Sequence, residues 1–488
     1  MDKIMPIEEM VVQVHLKLVD AMKVINKNEQ GICFVLANKT LIGVLTDGDI
    51  RRFLLQGRDI NDCLEGIINR DFFSLTVDDS TDKIQKNLIK YRYIPITNHR
   101  GELVDYASAT SYSQIPLIKP VLDGRELEYV TDCILTGWIS SQGKYVNLFE
   151  EAFSQYVGCS HSLAVSNGTV ALHLALASLG IGSGDEVLVP NLTFAASVNP
   201  VLYVVATPVL IDVDPTTMAI DVNLAEQAIT PRTRAIIPVH LYGHPADMDR
   251  VMALAKKHQL LVIEDCAEAI GSFYKGTHVG NWGDAAIFSF FGNKTLTTGE
   301  GGMVLFKAKA IHDRARILRD HGMSPERRYW HNEVGYNYRM TNLQAAVGVA
   351  QLERADFFVE KKRWIAEQYC KRLSLLRCLK LPQEYGDVTN SYWLYTILLT
   401  EELAPKRDEI IKLMKLNGIE TRPVFYPMHR MPPYSAFSIN GASYPVSSYI
   451  SDSGISLPSG VTLEISDIAR VCDSLAQVLD TFLSLKSV

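Results

Sequence analysis

The strongest constraint on the fold is an alternation of short apolar segments with amphipathic ones between residues 160 and 306. The apolar segments are "HSLAVS", "DEVLVP", "VLIDVD", "RAIIPVH", "LVIEDC", "DAAIFSFF" and "GMVLF". Helical patterns such as "VALHLALASLG" and "DRVMALAKKHQL" lie between several of them. Strands that alternate with helices predict an α/β fold with a mostly parallel sheet covered on both faces, in which ligands bind beyond the carboxyl ends of the strands.

The chain has 488 residues, which is too long for a single core and predicts two or three domains. We place an N-terminal unit at residues 1–112, a large domain with the alternating pattern at residues 115–355, and a smaller C-terminal α+β lobe at residues 356–488. The segment "TSYSQIPLIKP", rich in serine and proline, is predicted to link the first two.

Composition excludes several classes of protein. A net charge of -7 argues against a nucleic-acid partner, because such proteins need a basic surface. The eight cysteines are scattered without C-x-x-C spacing, which predicts reduced thiols in a cytoplasmic protein and no metal site. "MDKIMPIEEMVVQ" lacks the basic and apolar regions of a secretory leader. Prolines interrupt the most apolar stretch, Val187 to Ile211, so we expect no membrane span.

The N-terminal unit contains two similar halves. In the first, we predict a helix from Val11 to Val24, a strand from Gly31 to Leu36, and a second strand "LIGVLT" that runs into "DGDIRRFLL". The segment "DFFSLTVDDSTDKIQKNLIKYRYIPITNHRGELVDYAS" repeats the order of loop, helix, strand, turn and strand. The unit resembles a pair of CBS domains, and "GVLTDGDIRR" carries the resemblance.

This resemblance implies that Thr46 and Asp49 hold the phosphate and the ribose of a regulatory nucleotide. A carboxylate suits ribose hydroxyl groups and a helix N-terminus suits phosphate. The second half, "VDYASATSY", has no acid where Asp49 would fall, so a second nucleotide site is not expected. The alternative is a purely structural or dimerising module in which Asp49 only caps a helix.

Polar residues follow three of the predicted strands. Asp265 follows "LVIE", Lys294 follows "FSFF", and Ser166 to Thr169, "SNGT", follow "LAVS". Parallel topology brings these loops together. Glycine and threonine at a helix start can bind phosphate, although "SNGT" as a plain helix cap and Asp265 as a loop cap are the structural alternatives for each taken alone.

Together these residues match the needs of a pyridoxal phosphate enzyme: a lysine for the aldehyde, an acid for the pyridine nitrogen, a phosphate cup and an aromatic plate. Lys294, Asp265, Gly168 with Thr169, and Phe194 supply them in turn. A nucleotide P-loop is excluded, because its glycines precede the lysine and here they follow it.

From about residue 115 onward the chain resembles the DegT/DnrJ/EryC1/StrS family of sugar aminotransferases, which are fold type I pyridoxal phosphate enzymes. The resemblance covers about three quarters of the sequence, and its main segments are "GWISSQGKYVNLFEEAF", "SNGTVALHLAL", "IPVHLYGHPADMD", "VIEDCAEAIGS", "FSFFGNKTLTTGEGGMV", "GYNYRMTNLQAAVGVAQLER" and "RPVFYPMH". The family also contains dehydratases with histidine at the lysine position, so Lys294 implies aminotransfer.

The resemblance implies a role for each matching residue. Lys294 would bind the cofactor covalently and transfer protons, and Asp265 would pair with the pyridine nitrogen. The remaining cofactor contacts would come from Gly168, Thr169, Phe194, Ser289, Glu268 and Asn337. Many relatives have glutamine at the Glu268 position. Asn337, in "GYNYRM", would reach the phosphate of the neighbouring subunit, which implies a homodimer or higher homo-oligomer with shared sites.

Substrate contacts are expected from five residues, which are Ser141, Arg327, Arg328, Trp330 and His429. The two arginines suit a diphosphate, and Trp330 suits a base or sugar, although the same loop could simply be solvated. His240 and His331 lack metal-ligand spacing and are predicted to be structural or to line the pocket.

Four segments are most similar to the branch of the family that aminates C4 of GDP-4-keto-6-deoxymannose with L-glutamate as donor: "EDCAEAIGS", "SFFGNKTLTTGEGG", "MSPERRYWHNEVGYNYRMTN" and "RPVFYPMH". Two alternatives stay open. The same chemistry could act on a UDP- or dTDP-linked ketosugar or on a 3-keto isomer, or the protein could be a nucleotide sensor whose aminotransferase unit is inert.

Overall fold

The computed structural model describes residues 6–79, 81–108, 114–438 and 443–484. The chain divides into two compact units, Met1–Ile115 and Pro116–Val488. The predicted linker begins at residues that lie outside the described ranges, 109–113. Among the described helices, none combines the length and apolar character that crossing a bilayer requires.

The N-terminal unit consists of two small α/β modules. The elements of the first are Val11–Gln13 (β1), Leu18–Asn28 (α1), Ile32–Ala37 (β2), Thr40–Thr46 (β3) and Asp47–Leu55 (α2). The elements of the second are Leu75–Thr76 (β4), Thr81–Leu88 (α3), Tyr93–Thr97 (β5) and Leu103–Ser108 (β6). In each module a parallel pair is followed by an antiparallel hairpin, in the orders β1-β2-β3 and β4-β5-β6. The two modules thus share the order that the sequence repeat predicts.

The predicted helix from Val11 to Val24 is wrong in its first turns. Residues Val11–Gln13 form a strand instead, and Val11 and Val12 pair with Phe34 and Val35 of β2. β-Branched side chains fit this half-buried ladder. The helix begins only at Leu18, where the carboxylate of Asp20 accepts a hydrogen bond from the backbone N–H of Lys17.

The C-terminal unit contains the alternating pattern. Its strands are Ser162–Val165 (β7), Glu186–Pro190 (β8), Thr207–Ile211 (β9), Thr233–Ile236 (β10), Leu261–Asp265 (β11), Phe273–Tyr274 (β12), Thr277–His278 (β13), Ala285–Ser289 (β14), Gly302–Phe306 (β15), Leu379–Lys380 (β16), Val388–Thr389 (β17), Tyr395–Leu399 (β18), Arg422–Pro423 (β19) and Gly454–Leu457 (β20). Its helices are Glu126–Thr136 (α4), Lys144–Val157 (α5), Gly168–Ser178 (α6), Asn199–Tyr203 (α7), Val222–Gln227 (α8), Met248–His258 (α9), Lys309–Arg319 (α10), Asn342–Leu352 (α11), Ala355–Leu373 (α12), Arg407–Leu416 (α13), Pro445–Ser453 (α14) and Ile465–Ser484 (α15).

Seven of these strands form the central sheet, in the order β7-β15-β14-β11-β10-β8-β9. All neighbouring pairs from β14 to β9 are parallel, and β15 runs antiparallel to both β14 and β7. The prediction of a mostly parallel sheet is therefore confirmed. The carboxyl ends of six strands lie at one edge, together with Gly302 at the start of β15.

Helices cover both faces of this sheet. Along β14, Ile287 packs into a core that includes α6, whereas Ala286 and Phe288 pack into a second core that includes Phe149 and Phe153 of α5. Successive residues of a strand point to opposite faces, so the two cores lie on the two sides of the sheet. This burial on both faces explains why the strands are continuous apolar runs.

A second sheet belongs to the C-terminal part of the same unit. It has four antiparallel strands in the order β16-β18-β20-β19. A three-stranded sheet, β13-β12-β17, pairs Phe273 and Tyr274 with Val388 and Thr389. The segment before β18 is thereby held beside the loop that follows β11.

Candidate active site

The amine of Lys294 lies at the carboxyl edge of the central sheet. Its Nζ is 3.2 Å from Oε1 of Glu268 and 3.7 Å from the centroid of the Trp393 indole ring. A backbone hydrogen bond from the Lys294 N–H to the Phe291 carbonyl, 2.9 Å, closes the turn that presents the side chain. The lysine is thus held between a carboxylate and an aromatic face.

Glu268 is buried, and both oxygens of its carboxylate have a hydrogen-bond partner. Oε1 faces Lys294, and Oε2 accepts a 2.9 Å hydrogen bond from the backbone N–H of Tyr242. Burial raises the pKa of Glu268, and the nearby Lys294 opposes that rise. The structure thus brings together Lys294 and Glu268, two of the residues that the sequence predicts for the cofactor site.

Asp265, the last residue of β11, is buried at the same edge. Its Oδ2 accepts a 2.7 Å hydrogen bond from the hydroxyl of Ser197, which is itself 2.7 Å from the hydroxyl of Thr193. Oδ1 accepts from the backbone N–H of Ala267 at 3.1 Å. Sequence reasoning missed Ser197 and Thr193, although both lie in the same "PNLTFAAS" segment as Phe194.

The start of α6 forms a close-packed cradle. Asn167 caps the helix by accepting from the Val170 N–H at 3.0 Å, and the first backbone amides of a helix have no partner within it. A Cβ on Gly168 would lie 3.0 Å from Cβ of Ser289, and one on Gly302 would lie 2.6 Å from the backbone of Asn167. Only glycines allow these chain segments to approach so closely.

Four aromatic rings form a continuous row of contacts that ends at Trp393 beside Lys294. Phe194 is 59% exposed, and its ring lies 5.6 Å from that of Phe425. Phe425 stacks on Tyr242 at 5.7 Å, and Tyr242 stacks on Trp393 at 6.0 Å. The sequence predicted only Phe194. The other rings come from distant segments, of which "IPVHLYGHPADMD" with Tyr242 and "RPVFYPMH" with Phe425 were part of the predicted resemblance, whereas "NSYWLY" with Trp393 was not.

His429 lies beside Asn191, which follows β8. Nδ2 of Asn191 is 2.8 Å from Nδ1 of His429, and Oδ1 of Asn191 accepts the backbone N–H of His429 at 3.0 Å. Burial, and to a lesser extent Arg430, lowers the pKa of His429. The neutral ring can therefore accept a hydrogen bond from Asn191 and stacks on Tyr444 at 4.7 Å.

Of the other predicted substrate residues, Ser141 lines a cavity of about 580 Å³ together with Ser324 and Arg339, and Lys294 is not part of its lining. The loop with Arg327 and Arg328 follows Ser324 and Pro325, which line this cavity, and the Ser324 N–H donates to the Trp330 carbonyl at 2.7 Å. Arg327 lies over the Trp330 ring at 4.4 Å, and Arg328 over Tyr329 at 4.9 Å.

Asn337 belongs to this second region as well. It is exposed, and its Oδ1 accepts a 3.2 Å hydrogen bond from Nε of Arg339. Within one chain, Asn337 therefore lies next to a residue that lines the Ser141 cavity, and neither Asn337 nor Lys294 is part of the lining itself.

Thr46 and Asp49 of the N-terminal unit form a capping box at the start of α2. The hydroxyl of Thr46 donates to Oδ2 of Asp49 at 2.7 Å, and the Asp49 N–H donates back at 3.2 Å. Arg52 forms an ion pair with the same carboxylate. The Asp49 carboxylate thus already has three local donors, including the Thr46 N–H at 2.9 Å.

The two lone histidines have local partners. His240 is fully buried, its Nε2 lies 3.2 Å from Glu264, and its Nδ1 accepts the Ala246 N–H at 3.0 Å. Glu264 and Cys266 lie near enough to His240 to suggest a metal site. The Glu264 oxygens, however, accept three backbone N–H groups at 2.8 Å, which favours a structural role. His331 binds the His321 carbonyl at 2.9 Å.

The residues at the sheet edge fit pyridoxal phosphate: a lysine amine, a buried carboxylate and a glycine cradle that a Cβ would fill. Fold and site together define a fold type I, pyridoxal phosphate-dependent aminotransferase.

Comparison with known proteins specifies the family. The DegT/DnrJ/EryC1/StrS aminotransferase family matches residues 120–476, and the CBS domain matches residues 3–56. The chain belongs to the DegT/DnrJ/EryC1/StrS aminotransferase family, which confirms the predicted resemblance.

Curated relatives match over nearly their whole length. The chain is 48% identical to the GDP-perosamine synthase of Escherichia coli O157:H7 over 361 residues, which cover 74% of this chain and 97% of that protein. It is also 48% identical to the GDP-perosamine synthase of Caulobacter vibrioides over 368 residues, 75% of this chain and 98% of that protein.

Solved structures share the fold of the C-terminal unit. DesV of S. venezuelae, solved in complex with a ketimine intermediate, has a TM-score of 0.71 and 34% identity, and the match covers 75% of this chain and 98% of DesV. PseC of Helicobacter pylori, an aminotransferase involved in the biosynthesis of pseudoaminic acid, has a TM-score of 0.73 and 26% identity. The match covers 76% of this chain and 100% of PseC.

Proposed function

We propose that the protein transfers an amino group from L-glutamate to the 4-keto carbon of GDP-4-keto-6-deoxy-D-mannose and so forms GDP-perosamine. The observation that carries the proposal is the Lys294 amine held 3.2 Å from Glu268 at the edge where Asp265 ends β11. The identity of 48% with two GDP-perosamine synthases supports the choice of sugar.

Pyridoxal phosphate supplies an aldehyde that accepts the amino group and a ring that withdraws electrons. We assign its contacts to the residues at the sheet edge: Asp265 for the ring nitrogen, Phe194 for the ring face, Glu268 for the ring hydroxyl, and Gly168, Thr169 and Ser289 for the phosphate. Lys294 would remove the proton from Cα of glutamate and return a proton during amination of the sugar. Ser197 would hold Asp265 oriented through its 2.7 Å hydrogen bond.

We further propose that the second set of residues acts across a homodimer. Asn337 would contact the cofactor phosphate of the partner subunit, and Arg327 and Arg328 would bind the nucleotide diphosphate with Trp330 beside them. Ser141 and His429 are proposed to contact the sugar. The exposed position of Asn337 and of the arginine loop supports this arrangement, because both are accessible to a second chain.

Two proposals concern regulation and location. The capping box at Thr46 and Asp49 is compatible with a structural module, and a nucleotide would have to displace Arg52 from Asp49 to use its carboxylate. All eight cysteines are free, and Cys63 and Cys370 are exposed, which supports the reducing cytoplasm as the location. A sensor with an inert aminotransferase unit is not favoured, since Lys294, Asp265 and the glycine cradle are all in place.

The test is to incubate the protein with L-glutamate, pyridoxal phosphate and a panel of GDP-, UDP- and dTDP-linked 4-keto-6-deoxy sugars, and to identify products by mass spectrometry. We expect an amino sugar from the GDP-linked substrate and none from the same mixture without glutamate. Conversion of only UDP- or dTDP-linked sugars would reject the substrate and keep the reaction. No conversion of any sugar, with no 2-oxoglutarate formed, would reject the function.

A further inference from the structure

Lys362, in the middle of α12, is a buried lysine with an unusual set of partners. It is 3% exposed, and its Nζ donates 3.0 Å hydrogen bonds to the backbone carbonyls of Trp393 and Ser459. Both acceptors are neutral carbonyl groups. A buried amine loses its hydration, and a methionine of similar length would fill this space without that cost. The amine therefore serves to hold the two carbonyl groups in place through its hydrogen bonds.

One of those carbonyls belongs to Trp393, whose indole ring contacts the amine of Lys294. The Trp393 ring centroid lies 3.7 Å from Nζ of Lys294. The indole Nε1 also donates a 2.7 Å hydrogen bond to the carbonyl of Asn293, the residue before Lys294. Trp393 thus contacts both the amine and the backbone turn that presents it, and the indole is 4% exposed.

The other carbonyl belongs to Ser459, whose side chain contacts the backbone just after Trp393. Ser459 follows β20, and its hydroxyl accepts the backbone N–H of Tyr395 at 2.9 Å, two residues after Trp393. Lys362 therefore joins α12 to the beginning of β18 and to the end of β20. This arrangement restrains the backbone that carries the indole.

We propose that Trp393 is a catalytic residue that holds the Lys294 amine against the face of its indole, and that Lys362 is a positioning residue that acts through Trp393. The inference rests on the proposed function, in which Lys294 transfers protons. The face of an indole is electron-rich and stabilises a cation within about 6 Å of the ring centroid. Trp393 therefore stabilises a positive charge on the nitrogen of Lys294 through the 3.7 Å contact with its ring.

The test follows the visible absorption of the bound cofactor as a function of pH in the full-length holoenzyme. Trp393→Leu removes the ring face, and we expect the midpoint of the spectral titration to move to lower pH by about half a unit to one unit. Trp393→Phe keeps an aromatic ring face and is expected to shift the midpoint of the titration less than Trp393→Leu does. The value of kcat for the glutamate half-reaction should fall more than tenfold in Trp393→Leu, with KM for glutamate changed less than threefold.

Lys362→Met is expected to move the midpoint in the same direction, and to have no further effect in the Trp393→Leu background, because Lys362 acts through the indole. Lys362→Gln keeps two N–H donors and should restore the wild-type midpoint. If Lys362→Met does not fold, Lys362→Gln still tests whether the hydrogen bonds to the two carbonyls set the midpoint. Lys361→Met is the matched control, since the neighbouring lysine lies over Trp364 at 4.0 Å and should leave the midpoint unchanged.

An unmoved midpoint in Trp393→Leu would overturn the inference. Equal shifts from Lys362→Met with and without Trp393 would overturn the positioning role of Lys362. A wild-type protein that shows no cofactor band would reject the proposed function and this inference with it, whereas a normal wild-type band with unmoved variants rejects the inference alone.

Discussion

Glu268 lies 3.2 Å from the Nζ of Lys294, and its other oxygen accepts the backbone N–H of Tyr242 at 2.9 Å. The glutamate thus connects the reactive amine to the loop that follows β10. Burial raises the pKa of Glu268, although Lys294 opposes the rise. Its ionisation therefore falls at a higher pH than that of an exposed glutamate.

The first prediction concerns that ionisation. We expect an acid limb in the pH profile of kcat/KM for glutamate that lies above the ordinary glutamate pKa of about 4.3, because the ionised carboxylate is needed beside Lys294. Glu268→Gln retains an oxygen for the Tyr242 N–H and removes the ionisation, so this limb should disappear. An identical acid limb in wild type and variant would show that Glu268 does not control it.

The second prediction concerns Lys294. Lys294→Ala should lower turnover by at least about 10²-fold, because the general acid and base is lost, while pyridoxamine phosphate still binds. Steady-state assays and the absorption of the purified variant measure the two effects. Lys307→Ala is the control, since Lys307 is an exposed lysine that follows β15. Turnover of Lys294→Ala within tenfold of wild type would contradict the assignment.

Much of this site could be predicted because strand ends converge. Asp265, Lys294 and Gly168 each follow a short apolar run, and parallel topology brings such residues to one edge whatever the loops do. Glu268 was predicted from the same segment as Asp265.

Trp393 and Lys362 could not be predicted in this way. Trp393 comes 99 residues after Lys294 and precedes an antiparallel strand of another sheet, so no spacing relates the two. Lys362 stands between Lys361 and Arg363 in a charged helix, where sequence alone suggests an exposed face. Only the structure shows that its amine is buried and bonded to the Trp393 and Ser459 carbonyls.

The third prediction concerns the glycine cradle. A Cβ on Gly168 would lie 3.0 Å from Cβ and 3.3 Å from Oγ of Ser289, so Gly168→Ala must displace the helix start or the serine. We expect the affinity for pyridoxal phosphate to fall about tenfold, equivalent to about 1.4 kcal/mol. Titration of cofactor-free protein, followed by absorbance, measures it. Gly182→Ala is the control, since its Cβ would lie 3.8 Å from the nearest atom, and equal affinities in both variants would contradict the prediction.

The fourth prediction concerns the arginine loop. Arg328→Ala removes a guanidinium that we assign to the diphosphate, so KM for the nucleotide sugar should rise about tenfold, as expected for a lost charge-assisted contact. KM for glutamate should stay within twofold, and it serves as the internal control. A rise in both values, or in neither, would argue against the assignment of this loop to the nucleotide.

The last prediction concerns stability and pH. Burial lowers the pKa of Lys362 to about 7, from an ordinary value of 10.5. Between these values the unfolded chain binds more protons at this residue than the folded chain does, so its contribution to the free energy of unfolding rises with pH. Below pH 7 the amine is protonated in both states, and the folded protein bears the full cost of a buried charge. Lys362→Met removes this dependence.

The measurement is urea unfolding of wild type and Lys362→Met at pH 6, 7, 8 and 9, followed by tryptophan fluorescence. The difference in unfolding free energy, wild type minus variant, should increase by roughly 2–3 kcal/mol between pH 7 and pH 9, since one pKa unit corresponds to about 1.4 kcal/mol. The same difference for Lys361→Met should not depend on pH. A constant difference for Lys362→Met would mean that the buried amine keeps its ordinary pKa, because only an unequal proton affinity in the folded and unfolded states can make it change.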